Sequence, residues 1–223
     1  MRGRRRRAEA LTELQLEALI ADLGRGMWRQ VRAYRKLARA KSPEAGEYFV
    51  RTFLNHPSEH VRASMLHLIP KADAQRRLDL VYRGLGDAHT AVRMVAVSIL
   101  AEEGNPSALP ALADAFWDAH SRLMILVPGE GGAGFECPHF GEHYLAGRCA
   151  EAIAAIAERG SGTARCWAIS FLRNALQQWP EASERFQLAL RRVERAAAGD
   201  LPRPAATPPS DGRQLPLPER HRD

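Results

Sequence analysis

A group of thiol and imidazole side chains near the middle of the 223-residue chain is the first candidate for chemistry. Thiolate sulfur and imidazole nitrogen are the ligands that zinc prefers in proteins. The spacing contains no Cys-x-x-Cys pair, and Gly141 between the two histidines argues against a continuous helix that would bring them together. We therefore expect a packed or partly exposed loop with no metal or other cofactor. The weak metal candidates are Cys137, His139, His143 and Cys149.

Cys137 and His139 also form the closest thiol and imidazole pair for nucleophilic catalysis. Only Glu136 and Glu142 offer a nearby carboxylate that could orient the histidine. The glycine-rich residues 129–134 contain no Gly-Lys-Ser/Thr and follow no strand pattern, which argues against a phosphate-binding loop. The sequence therefore favours a protein without enzymatic activity.

Basic residues are concentrated at the N-terminus. Residues 1–41 hold 12 Lys and Arg against 4 Asp and Glu, whereas residues 42–199 hold 16 against 18. Such a surface could bind phosphates without sequence preference, or an acidic protein or lipid face, although the sequence favours a solvated helix face in an arginine-rich chain over either function. Helical spacing predicts one cationic stripe, formed by Arg25, Arg29, Arg32, Lys36 and Arg39, on the side opposite Trp28, Val31 and Tyr34.

Apolar residues recur with a period near 3.6 along most of the chain, and no stretch alternates with period two. The sequence therefore predicts an all-α fold. Ser42-Pro43-Glu44 is typical of a helix start, and we expect the helices flanking it to form a first hairpin. Outside the central repeats, helices are predicted over 8–23, 27–40, 43–54, 143–158, 163–178 and 181–197.

One helical hairpin is repeated in the middle of the chain. Val61-Arg62 returns as Val92-Arg93 after 31 residues, and the surrounding apolar positions keep the same shift. Because one such hairpin cannot bury its apolar face alone, the repeats must stack. A third copy follows after 56 residues, with Arg148 and Cys149 at the Val-Arg positions. The 25 additional residues predict an inserted loop at about 126–142, rich in glycine.

The repeated residues resemble the HEAT repeat family, especially its short bacterial branch that includes the phycobilisome lyases. The resemblance covers about 46–178 and implies a short right-handed α-solenoid of about four hairpins within residues 8–197. It also implies that Arg62 and Arg93 bond an acidic residue such as Asp87, or carbonyls, of a neighbouring repeat. The motif residues are Asp87, Val92, Arg93, Ala96 and Leu100, echoed by Val61, Arg62, Met65 and Ile69.

In such a solenoid the second helix of each pair builds the concave face. Mixed charges and a tryptophan on these helices favour a protein partner over a nucleic-acid groove, and the neutral repeat body fits poorly with the strongly basic HEAT-like DNA glycosylases. The inserted loop adds aromatic anchors. The expected protein-binding residues are Arg76, Asp79, Arg83, Asp114, Trp117 and Arg173 on the concave face, and Phe135 and Phe140 in the loop.

We therefore expect an interaction protein of the adaptor, regulator or toxin-neutralising type that binds another protein. One alternative is nonspecific nucleic-acid binding through residues 1–7 and helix 27–40, and another, from the resemblance alone, is a chromophore lyase or chaperone. Three cysteines and the lack of an apolar run near 18 residues favour a cytoplasmic protein without a membrane span. The Arg-rich residues 1–7 and Pro-rich residues 198–223 are predicted to be disordered.

Overall fold

The computed structural model describes residues 11–25, 27–40, 42–70, 74–124, 140–180 and 183–199. These residues form α-helices with no strand among them, and the all-α prediction is confirmed. None of the described helices is long and apolar enough to cross a lipid bilayer. The helices are α1 (Glu13–Leu23), α2 (Met27–Leu37), α3 (Pro43–Asn55), α4 (Glu59–Leu68), α5 (Ala74–Leu85), α6 (Thr90–Glu103), α7 (Leu109–Met124), α8 (Phe140–Arg159), α9 (Gly162–Gln178) and α10 (Ser183–Gly199), with a 3₁₀ turn (Pro106–Ala108) before α7.

The ten described helices pack as consecutive pairs, α1 with α2 through α9 with α10, which makes five pairs where about four were expected. Helices α4, α6, α8 and α10 stack side by side in one layer, and α3, α5, α7 and α9 lie against them. One continuous apolar core runs from Leu16 in α1 to Val193 in α10. The chain is therefore an all-α solenoid. The predicted arm 1–7, residues 126–139 of the predicted loop, and residues 200–223 of the predicted tail lie outside the described residues.

The pairing is shifted by one helix from the predicted hairpins. Helix α2 packs on α1 rather than mainly on α3, and α4 packs on α3 and α6 with only a narrow contact to α5. Gly84 of α5 lies close to both α4 and α6. A Cβ there would lie 2.7 Å from Leu66 Cδ2 and 3.2 Å from Ala96 Cβ, so the missing side chain permits the close approach.

Helix α2 turns a different face to the core than the sequence predicts. Its buried residues are Ala33 and Leu37, followed by Ala40 just after the helix, whereas Trp28 is 85% exposed and Val31 is 38% exposed. Two small alanines allow α2 to lie close to α1, and an indole at their place would hold the helices apart. The prediction that Trp28 and Val31 face away from the cationic side is therefore wrong.

Helix α8 begins at Phe140, three residues before the predicted start, and includes Gly141. The prediction that Gly141 interrupts a helix here is wrong. Glu142 in the first turn of α8 makes side-chain contacts with α6 that outweigh the modest helix penalty of one glycine. The predicted loop is therefore shortened, because its last three residues are helical.

Candidate interaction surfaces

Arg62 of α4 joins two successive repeats. Its Nε and Nη2 donate to the two carboxylate oxygens of Asp87 at 3.0 and 2.8 Å, and its Nη1 donates to the carbonyls of His56 and Pro57. Burial raises the pKa of Asp87, but the hydrogen bonds from Arg62 and from the His89 N–H lower it more, so the net pKa is below its ordinary value. The hydrogen bond to Asp87 in turn raises the pKa of Arg62. A bidentate pair of this kind fixes geometry as well as charge.

Arg93, at the matching position in α6, is 1% exposed and reaches a different carboxylate. Its guanidinium donates to Glu142 in the first turn of α8, to Thr90 Oγ1 at 3.1 Å and to the Asp87 carbonyl at 3.1 Å. The Thr90 hydroxyl also donates to Glu142 at 2.7 Å. Glu142 is thus held by α6, in a contact between stacked helices.

The residues predicted for the concave face lie on α5, α7 and α9, and several already have intramolecular partners. Arg76 pairs with Glu47 of α3 at 2.8 Å, and Arg173 pairs with Glu194 of α10 at 2.7 Å. Such exposed pairs cost little to break. Asp79 accepts from Gln75 at 3.0 Å, Arg83 and Asp114 are exposed, Phe140 is the first residue of α8, and Phe135 lies outside the described residues.

An aromatic band on α7 and α9, with rings added from α8 and the end of α9, was missed by the sequence analysis. The Trp167 ring stacks on Phe171 at 5.4 Å with an interplanar angle of 3°, and Phe171 lies 6.1 Å from Trp117. Trp179 extends the band, 4.9 Å from His120 and 5.0 Å from His143. The four-residue spacing of Trp167 and Phe171 could have indicated their shared helix face. The band comprises Trp117, His120, His143, Trp167, Phe171 and Trp179.

A mainly apolar groove adjoins the exposed end of the aromatic band, where α7 and α9 both begin. Trp167 is 37% exposed and forms one wall. In this groove, proline rings near the start of α7 lie across from the Trp167 indole of α9. Apolar pockets of this kind accept a side chain of a partner. The lining residues are Pro106, Leu109, Pro110, Ser161, Thr163, Ala164 and Trp167.

The outer face of α2 is the second exposed surface of interest. Trp28 projects from it with an exposed fraction of 85%, and α2 contains no acidic residue. Arg25, just before the helix, lies 3.7 Å from Asp22. We define the α2 outer face as Trp28, Val31, Arg32, Arg35 and Arg39, flanked by Arg29 and Lys36, all of them exposed.

The Val-Arg repeats lie in a segment that matches a known family. The sequence model of HEAT repeats matches residues 47–125, which include Arg62, Asp87 and Arg93. Residues 47–125 are therefore similar in sequence to HEAT repeats. No curated protein has significant sequence similarity to the chain. A crystal structure of an engineered protein is 20% identical, with 81% of this chain and 80% of that chain covered at a TM-score of 0.38.

The third repeat, outside the matched HEAT repeats, has no arginine at the position of Arg93. Cys149 occupies it, fully buried, and burial raises the pKa of its thiol to about 12. Arg148 instead donates to Glu151 at 2.7 Å and to Ser98 Oγ at 3.3 Å. The next contact in this layer joins α8 to α10, and here the arginine lies on the later helix. Arg192 of α10 donates to both carboxylate oxygens of Glu158 in α8 at 2.9 and 2.6 Å.

The weak metal candidates are not brought together in the part of the chain that the structure describes. His143 is exposed with its ring against Trp179, and Cys149 is buried beside Arg93 and Glu142. Among the described residues, no group of three or more His, Cys, Asp or Glu side chains could hold a metal ion. Cys137 and His139 lie outside the described residues.

Proposed function

We propose that this protein is a HEAT-repeat scaffold that binds a protein partner through the aromatic band and the adjoining groove of α7 and α9. The observation that carries the proposal is the pair of Trp167 and Phe171, stacked in parallel with Trp167 partly open to solvent beside an apolar groove. Tryptophan in such a pocket is typical of the residues that dominate protein binding energy. An adaptor, regulator or toxin-neutralising protein would bury this surface against its partner.

The charges around the aromatic band favour a protein over a polyanion. Asp114 is exposed on α7, Asp118 of α7 pairs with Arg122 at 2.9 Å, and Arg173 of α9 pairs with Glu194. A phosphate backbone would meet carboxylates here, whereas a protein surface can answer both signs of charge. Trp117, expected to be an anchor, packs edge-on against the buried Phe116 at 4.9 Å, so it supports the band from below more than it contacts a partner.

The test is affinity capture from an extract of the native host with nuclease present, followed by reconstitution with the purified captured protein. Two variants target the surface without entering the core, Trp167→Ala, which removes the exposed ring, and Thr163→Arg, which places a charge in the groove. We expect both to lose the protein that the wild-type chain captures and to keep the wild-type helical circular dichroism.

The matched control is Trp28→Ala, which removes an exposed tryptophan from α2. The proposal predicts that this variant captures the same protein as the wild-type chain. Equal capture by the wild-type, Trp167→Ala and Thr163→Arg chains would contradict the proposal.

A further inference from the structure

The cations of α2 differ from most arginines of the described fold, because no carboxylate in the part of the chain that the structure describes pairs with them. The four basic residues within α2 are Arg29, Arg32, Arg35 and Lys36, and none of them forms an ion pair with a described residue. By contrast, Arg51 pairs with Glu13, and other arginines pair with carboxylates of other parts of the fold, among them Arg62, Arg77, Arg93 and Arg192. Unpaired positive charge on one face produces a field that attracts a polyanion.

Trp28 lies among these cations rather than behind them. It is four residues before Arg32 and seven before Arg35, so the three side chains follow one side of the helix. The buried Ala33 and Leu37 fix the opposite side against the core and hold the indole outward. With 85% of its surface exposed, the Trp28 ring makes little contact with the core of the protein. A ligand that is both aromatic and anionic would contact this ring and the neighbouring cations together.

Single-stranded nucleic acid has that combination, because its phosphates accept from arginine and its unpaired bases stack on indole. A duplex keeps its bases stacked within the helix and would use only the cations. An anionic membrane fits less well. Among the residues of α2 whose side chains the structure describes, Trp28 and Val31 are the large apolar side chains that are exposed, and burying them would draw Arg32 and Arg35 towards the acyl chains.

We propose that the α2 outer face binds single-stranded nucleic acid, with Trp28 stacking on a base and Arg32, Arg35 and Arg39 binding the flanking phosphates. This site lies apart from the aromatic band, on the first helix pair of the solenoid. Because contacts to phosphates and base faces carry little sequence information, the binding is sequence-tolerant. The inference does not depend on the protein-binding role proposed for α7 and α9.

The test uses the full chain and a labelled oligothymidylate of about 15 nucleotides, a length near the upper end of single-strand site sizes. We expect Trp28→Ala to weaken binding roughly 5- to 100-fold and Trp28→Phe to retain most of the affinity, as for the loss and retention of one stacked base. The Arg32→Gln/Arg35→Gln variant should lower the slope of log affinity against log salt by about 1.4, which corresponds to two single-strand phosphates.

The matched control is Arg191→Gln/Arg195→Gln, which removes two exposed arginines of α10 and should leave affinity and salt slope near the wild-type values. Three results would overturn the proposal. They are unchanged affinity in Trp28→Ala, equally tight binding of a duplex of the same length, and binding to phosphatidylserine vesicles without binding to the oligothymidylate.

Discussion

Arg93 of α6 donates to Glu142 in the first turn of α8, and so ties together two stacked helices on either side of the break in the repeat. The arginine is 1% exposed and the glutamate 9% exposed. A carboxylate in the first turn of a helix also interacts favourably with the helix dipole. The pair therefore fixes where α8 begins, and with it the helix that supports His143 of the aromatic band.

Glu142→Ala should destabilise the fold by about 3–5 kcal/mol, because it leaves the Arg93 guanidinium buried without its carboxylate. Urea unfolding followed by circular dichroism measures the change. The control is Glu151→Ala, which removes a partly exposed partner of Arg148 and should cost only about 0–1 kcal/mol. Equal losses in the two variants would show that burial of the Arg93 pair adds nothing.

Asp87→Asn should lower stability at neutral pH, and the difference from wild type should shrink as the pH falls. The pKa of Asp87 is lowered in the folded state, so its charged form contributes stability above its unfolded pKa of about 3.9. That contribution is lost as the pH falls through the lower folded pKa. Urea midpoints measured from pH 7 downwards test this, and a constant difference at every pH would contradict it.

Sequence reasoning succeeded where local pattern decides the structure. The 31-residue shift of Val61-Arg62 to Val92-Arg93 predicted the stacked helices, and Ser42 caps α3 at 3.2 Å as the Ser-Pro-Glu pattern indicated. It failed for α2, because the prediction placed the large apolar side chain of Trp28 on the packed side of the helix, whereas small alanines pack there. Burial in α2 depends on how closely α1 approaches, and the spacing of apolar residues in the sequence does not indicate that distance.

The Arg93 to Glu142 contact and the aromatic band could not be predicted for a different reason. The two partners of the ion pair are 49 residues apart, and the 25-residue departure from the repeat period removes the register that would have paired them. Trp167 and Trp117 meet through Phe171 only because α7 and α9 are brought together by the helices stacked behind them.

Gly84→Ala should destabilise the fold by about 1–3 kcal/mol through overpacking, although alanine favours helix. The added methyl would lie 2.7 Å from Leu66 Cδ2 and 3.2 Å from Ala96 Cβ. Gly162→Ala is the control, because nothing lies within 4 Å of a Cβ at that position. Thermal unfolding should show a lower midpoint for Gly84→Ala alone, and a raised midpoint would contradict the close packing of α5 on α4 and α6.

Cys149 should resist alkylation in the folded protein, because its thiol is buried and its pKa is raised to about 12. In a Cys137→Ser background, the exposed Cys166 should react with iodoacetamide in the fast first phase of the labelling reaction. Cys149 should react only at the rate of unfolding, and denaturant should abolish the difference. Native-state labelling of both thiols at similar rates would contradict the packing of α8.

The affinity of Trp167→Ala for the reconstituted protein partner tests the proposed function most directly. If the aromatic band and its groove are the binding surface, this variant should bind the partner at least roughly 30-fold more weakly than wild type, as for a central tryptophan of an interface. Trp28→Ala should bind with wild-type affinity. Wild-type affinity in Trp167→Ala, with its helical content unchanged, would contradict the assignment of this surface.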